Sequence, residues 1–551
     1  MTLSRRALLA AGTAGLLPWQ ASPARAQVTS LDMPPQTFAV KLDDSLAPGY
    51  RRDVLVRWGD RVTFDAVPWN PRQPTPEAAA TQFGWDGRIC AILTPPPAAD
   101  GVPRGILAVA HPTVDPAMAF PGGADRPGVG GADRPGVGGA DRPGVGGADR
   151  PGVAAMMQGA SLLNIERQGS RWIVVDGGYQ SRRLTAATLC RISGPATEAI
   201  GTAVQGVLGL SGGCATPWGS FLLAEDDPAP WITRLSGLDA RFAEGTRFGW
   251  MVEMDPLNPN SVPVKRSALA RFPRGDAAAA LTPDGRAVVY LTDRRAFGHL
   301  FRFISAGPAT EPDALDRGTL FVARLAGPGL RWEALPPGTE TLLNPIAAAT
   351  QAGATSFDLP SGLALDARRN RLYLACKGNA ARLPQQTDAL NPRAGSNAGQ
   401  VVEIVPAGGD HAAVTAAASI LVLGGAAGRV PGAWPEAPST LAVDAAGRLW
   451  IGTDHDGRIG PAPDALYGCD TTGPGRGLAL PLYGAPRGAG LGGAAVTPDG
   501  QALFALVRTP GAEPGASYER PGTRWPAFDP AIPPRSTLVV FSRGAGGRVG
   551  G

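Results

Sequence analysis

The stretch Thr282-Pro283-Asp284-Gly285-Arg286-Ala287-Val288-Val289-Tyr290 decides the fold. An Asp-containing turn runs straight into an apolar segment of strand length, the signature of a β-hairpin. The same grammar returns in Asp444-Ala445-Ala446-Gly447-Arg448 before Leu449-Trp450-Ile451, and in Thr497-Pro498-Asp499-Gly500-Gln501 before Ala502-Leu503-Phe504. A looser copy is Asp366-Ala367-Arg368-Arg369-Asn370 before Arg371-Leu372-Tyr373-Leu374. Further strands are expected at Gly249–Met254, Thr319–Leu325, Gln400–Ile404 and Thr537–Ser542. Turn-plus-strand units at roughly blade spacing predict an all-β protein of the β-propeller kind.

Composition agrees. Gly 75 and Pro 55 make up about a quarter of the 551 residues, which excludes a helical bundle or coiled coil. A 44% hydrophobic share against 18% charged is a globular balance rather than a disordered one. The uncharged run Ala199 to Ala224 is broken by Thr202, Gln205, Ser211-Gly212-Gly213 and Pro217, so it reads as buried strands joined by a loop and not as a membrane span. Five cysteines stand far apart without CxxC spacing, and four histidines are too few for a histidine-rich zinc site.

The N-terminus reads as a removable leader. Ser4-Arg5-Arg6-Ala7-Leu8-Leu9 sets twin arginines before an apolar run to Leu17, and Ala24-Arg25-Ala26 offers a cleavage site before Gln27. The run is shorter than the roughly 20 residues that span a bilayer. Residues 1–26 are therefore expected to be a twin-arginine signal peptide cleaved after Ala26, and 27–551 a single propeller domain in the periplasm or secreted. Removing Arg5, Arg6 and Arg25 leaves 48 basic against 47 acidic residues, a balance that gives no support to a nucleic-acid partner. A monomer is expected. Only Lys41, Lys265 and Lys377 are lysines, which we read as a trace of a GC-rich genome.

Four copies of GGADRPGV run from Gly122 to Val153. Each has no apolar face to bury and no net charge, and its Arg-Pro-Gly suits a turn, so the array is expected to be a low-complexity surface loop. A calcium-binding β-roll needs a nine-residue repeat with a stacking apolar residue, which this is not. Gly209-Leu210-Ser211-Gly212-Gly213 matches a nucleophile elbow, but Pro217 prevents the helix that motif requires. Gly488-Ala489-Gly490-Leu491-Gly492-Gly493 has dinucleotide spacing yet precedes a strand. Asp454-His455-Asp456-Gly457 resembles the start of a calcium loop, but the twelfth position is Ala465, so a propeller turn is expected there.

Several phrases, taken in order, resemble the PhoX-type secreted alkaline phosphatases. They are Arg57-Trp58-Gly59-Asp60, Thr216-Pro217-Trp218-Gly219-Ser220 with Glu225-Asp226 behind it, and Gly249-Trp250-Met251-Val252-Glu253-Met254-Asp255-Pro256. Pro263-Val264-Lys265-Arg266-Ser267-Ala268-Leu269, Gly318-Thr319-Leu320-Phe321-Val322-Ala323, Thr497-Pro498-Asp499-Gly500 and Pro534-Arg535-Ser536 continue the series. The likeness runs from about residue 50 to the end, apart from the array. It implies a six-bladed propeller, twin-arginine export and phosphomonoester hydrolysis at a central cluster of iron and calcium ions, with a small phosphorylated substrate.

The sequence departs from that pattern in several places. Ser211 stands where the family has a Cys, and Cys214 lies three residues on. The family's H-E falls on Arg274-Gly275, its G-D-D on Thr292-Asp293-Arg294, the Glu of R-P-E on Ser361, and a late Glu on Gly490. N-H-E survives only as His111. The surviving metal ligands implied by the resemblance are Glu225, Asp226 and Asp293. A multi-cation cluster with so few carboxylates loses much of its charge compensation. Two functions follow: an exported phosphatase with an eroded calcium/iron site, or a non-catalytic periplasmic propeller that binds a ligand or protein partner at an arginine-enriched centre.

Overall fold

The structure, a computed structural model, describes residues 29–123, 150–425 and 434–551. The leader and most of the GGADRPGV array lie outside the described residues. The chain is mostly β, in antiparallel sheets, with short helices; no helix among the described residues is long and apolar enough to cross a membrane.

Six strands hold the inner positions: β1 (Arg88–Leu93), β2 (Leu210–Ala215), β3 (Arg274–Leu281), β4 (Pro360–Asp366), β5 (Pro438–Val443) and β6 (Gly490–Val496). Each opens a run of strands leading outward, antiparallel except where Val264–Arg266 pairs parallel with Leu189–Ser193, and the runs begun by β3 and β4 join at their outer edges into one nine-stranded sheet. The six inner strands adjoin one another in a closed ring, β6 returning to β1. The last sheet is completed by Tyr50–Arg57 from the N-terminal side, which pairs along Thr537–Arg543 from the C-terminal side. Six apolar clusters lie in the gaps between successive sheets; one sets Trp450, Leu480 and Leu482 against Leu503, Val539 and Phe541.

The turn-plus-strand reading is realised at all four copies. Arg286–Asp293, Arg371–Cys376, Leu449–Thr453 and Leu503–Arg508 are the second strands of hairpins whose first strands are β3, β4, β5 and β6. The run Ala199 to Ala224 contains three strands, Ala203–Gln205, β2 and part of Phe221–Glu225, with no helix to make an elbow of Ser211. All five cysteines are free. One expectation needs correcting. The described end of the array is helical rather than a loop: Arg150-Pro151-Gly152-Val153 begins the helix Arg150–Met157, and Val153 is buried in the core. Proline is tolerated in a first helical turn, where its missing N–H would find no partner anyway.

Bringing six strands to one ring leaves little room at its rim. Each inner strand pairs with its second strand through a register shift near its start, and glycine stands at the points of closest approach. A Cβ on Gly212 would lie 2.3 Å from Gly275 O, one on Gly275 2.6 Å from Ser361 O, and one on Gly492 2.1 Å from Gly87 O. Gly275→Ala is accordingly expected to cost about 1–3 kcal/mol in denaturant unfolding, because backbone must move. Gly152→Ala, in a helix with nothing within 4 Å, is expected to be neutral or stabilising by up to about 1 kcal/mol.

Candidate functional site

The ring is tied across its centre by a buried pair. Asp276 Oδ2 accepts from Arg88 Nη2 at 3.1 Å and Leu363 N at 3.0 Å, while Oδ1 accepts from Gly213 N at 2.9 Å and Ala277 N at 3.0 Å. Arg88 Nη2 also reaches Ser439 O at 3.2 Å. One carboxylate and one guanidinium therefore join β1 through β5. Burial raises the Asp276 carboxyl above the usual carboxylate range, against the pull of Arg88 and the three amides.

The three predicted ligands lie within electrostatic reach of one buried cation. Glu225, Asp226 and Asp293 all act electrostatically on Arg274, which is fully buried and donates to the carbonyls of Gly249, Leu269, Ala270 and Phe272. Burial pushes the Arg274 guanidinium down to about 9, so it is still charged at neutral pH.

Each acid also has bonded partners of its own. Glu225 Oε1 accepts from Leu208 N at 2.9 Å and Lys265 Nζ at 2.8 Å; Oε2 accepts from Gly249 N at 2.8 Å and Trp250 N at 2.9 Å. Lys265 is fully buried, donates to Arg247 O at 3.2 Å and sits 4.4 Å from the centre of the Phe248 ring. Asp226 Oδ2 accepts from Arg294 Nη1 at 2.6 Å. Asp293 receives a two-pronged bond from Arg295, Nε to Oδ1 at 2.8 Å and Nη2 to Oδ2 at 2.9 Å, and a third from His299 N at 3.3 Å.

Beside them runs a chain of alternating charge that motif reading did not pick out. Asp86 is clasped by Arg508 through Nε at 2.9 Å and Nη2 at 2.7 Å. Arg508 Nη1 donates to Asp454 Oδ2 at 2.6 Å, and Lys377 Nζ lies 3.7 Å from that oxygen while donating to Asp456 Oδ1. Burial alone would raise Asp454, yet Lys377, Arg508 and Arg294 hold it well below the carboxylate range. Asp454-His455-Asp456-Gly457 is thus a turn following Leu449–Thr453 whose two acids bind side-chain cations. His111 is buried and neutral: desolvation and the nearby Arg183 keep its pKa low, Nδ1 donates to Asp86 O, and Nε2 faces Ser161 Oγ at 2.8 Å.

These residues do not fit an open multi-metal centre. Among the described residues no three of His, Cys, Asp and Glu converge so as to hold a metal ion. All four acceptor positions of Glu225 are filled, and both oxygens of Asp293 already carry a guanidinium. Two of the glycines named above are closely packed: a Cβ on Gly490 would meet Asp454 Oδ1 at 2.5 Å, and one on Gly275 would lie 2.6 Å from Ser361 O.

A mostly-β ring with a charged, glycine-lined centre is the class this geometry defines. The PhoX alkaline phosphatase family matches residues 35–511, and the chain belongs to that family. PhoX of Pseudomonas fluorescens, in complex with vanadate as a transition state analogue, is similar at a TM-score of 0.83 and 27% identity over 95% of this chain and 100% of that one. A gluconolactonase of Xanthomonas campestris (13% identity, 65% of this chain and 89% of that one) gives a TM-score of only 0.29. Regucalcin of Agrobacterium tumefaciens (12%, 62% and 93%) gives 0.25. No curated protein matches the sequence.

If the Glu225–Lys265 pair is a structural clasp, breaking it will unfold the protein rather than merely silence it. Glu225→Gln or Lys265→Met is expected to cost about 3–5 kcal/mol in chemical denaturation, the penalty for leaving one buried charge unpaired. Replacing both together by apolar residues should recover much of that loss.

Proposed function

We propose that this chain is an exported six-bladed β-propeller of the phosphatase family whose central face binds the phosphoryl group of a small molecule through arginine, with no calcium/iron cluster to hydrolyse it. The observation that carries this reading is Arg294. Its guanidinium is fixed to Asp226 through Nη1 alone and its side chain is 26% exposed. Its Nε and Nη2 have no partner among the described residues, and Arg508 is near enough to be felt electrostatically. Such a fork matches the paired oxygens of a tetrahedral oxyanion, and the Pseudomonas fluorescens relative is a vanadate complex.

Other features support the remaining parts. The closed ring of six inner strands and the sheet shared by both ends of the chain are what a six-bladed propeller requires. Ser4-Arg5-Arg6 and Ala24-Arg25-Ala26 favour twin-arginine export with cleavage after Ala26, leaving residues 27–551 as one domain in the periplasm or secreted. The competing reading is phosphomonoester hydrolysis with Glu225, Asp226 and Asp293 as metal ligands; it requires those acids to release their present partners.

Calorimetric titration of the purified mature protein with vanadate or inorganic phosphate should show binding, and Arg294→Gln should weaken it about tenfold or more with the fold unchanged by circular dichroism. A generic phosphomonoester should not turn over with added calcium and iron. Calcium-dependent turnover, or an Arg294→Gln protein that binds as well as the parent, would overturn the reading.

A further inference from the structure

We infer that the central face carries its counter-cations in its own side chains: Arg294, Arg295, Lys377 and Arg508 occupy acids that a multi-cation centre would need open, and the face is complete without a metal ion. This deepens the oxyanion reading and rests on it for the identity of the ligand. Its charge argument is separate.

The acids are spent on side chains. Asp86 has no lone pair to spare: Oδ1 takes Gly87 N at 2.7 Å and Arg508 Nε, Oδ2 takes Thr113 Oγ1 at 2.9 Å and Arg508 Nη2. Asp454 is shared between Arg508 and Lys377, Asp456 is bound by Lys377, and Asp226 by Arg294. Arg274 stands among Glu225, Asp226 and Asp293. With Glu225 on Lys265 and Asp293 on Arg295, each of those six acids is paired with a side-chain cation.

The backbone has been fitted to the exchange. The carboxylate of Asp454 fills the space in front of Gly490, where a longer side chain would collide with it. Gly275 presses so closely on Ser361 O that an acid at that position would displace β4. Removing acids and inserting cations are therefore two sides of one rearrangement. A hard divalent cation needs free carboxylate oxygens at about 2.0–2.6 Å, and guanidinium nitrogens at 2.6 to 2.9 Å already hold those directions.

The test is thermal unfolding of the mature protein in chelator and in millimolar calcium, for the parent, Lys377→Met and Arg508→Gln. The parent should melt at the same temperature, within about 2 °C, in both. Both variants should melt lower in chelator, because Asp454 loses a partner, and calcium should restore part of that loss. A parent that loses stability in chelator or gains it in calcium would overturn the inference, as would a folded variant indifferent to calcium. Should Arg508→Gln fail to fold, the parent and Lys377→Met still decide the matter. Failure of oxyanion binding in calorimetry, with the parent unmoved by chelator, would strike the ligand reading and leave the charge argument standing.

Discussion

Everything at the centre depends on the bond between Arg88 and Asp276. Six strands meeting at one ring bring backbone amides and carbonyls together where water is largely excluded, and each such group needs a partner. Asp276 answers for three of the strands through its four accepted bonds, and Arg88 carries the tie on to β5. A carboxylate so deeply placed is costly unless its lone pairs are filled. Here the amides of Gly213, Ala277 and Leu363 and the guanidinium fill them. The glycines at the rim are the steric counterpart of this tie. Without Gly212 and Gly275 the strands would not come close enough for one side chain to span them.

Local chemistry made the second strands of four inner hairpins readable. Where an Asp-Gly turn meets a short apolar run, as at Asp284 and Asp499, both halves of a hairpin are contiguous in sequence and the reading needs no distant information. Glycines near the start of five of the six inner strands are present in the sequence as Asp86-Gly87-Arg88, Ser211-Gly212-Gly213, Arg274-Gly275-Asp276, Ser361-Gly362-Leu363 and Leu491-Gly492-Gly493; β5 opens on Pro438-Ser439-Thr440 instead. Their meaning depends on distant neighbours, such as Gly275 against Ser361 and Gly492 against Gly87, and no local pattern encodes it. Val153 shows the same limit in reverse: a repeat with no apolar face by itself still placed its last residue in the core, because a helix follows it.

Glu225, Asp226 and Asp293 are visible as acids in the sequence, but their partners are not. Arg508 meets Asp86 across 422 positions of sequence and Lys265 meets Glu225 across 40, separations that no motif spacing encodes. One signal was available. In a chain that uses arginine almost everywhere, two of the three lysines, Lys265 and Lys377, are buried against carboxylates. A compact ammonium fits where the planar guanidinium would not, so their survival speaks of site geometry rather than of base composition.

The reading proposed above, a centre neutralised by its own side chains, and the competing one, a cluster of bound cations, differ in what must be supplied from outside. Elemental analysis of the purified mature protein, expressed with iron and calcium in ample supply, separates the two most directly. The account predicts a folded protein carrying only trace iron and calcium. Whole-number stoichiometry of either ion, removable only with loss of the fold, would contradict it.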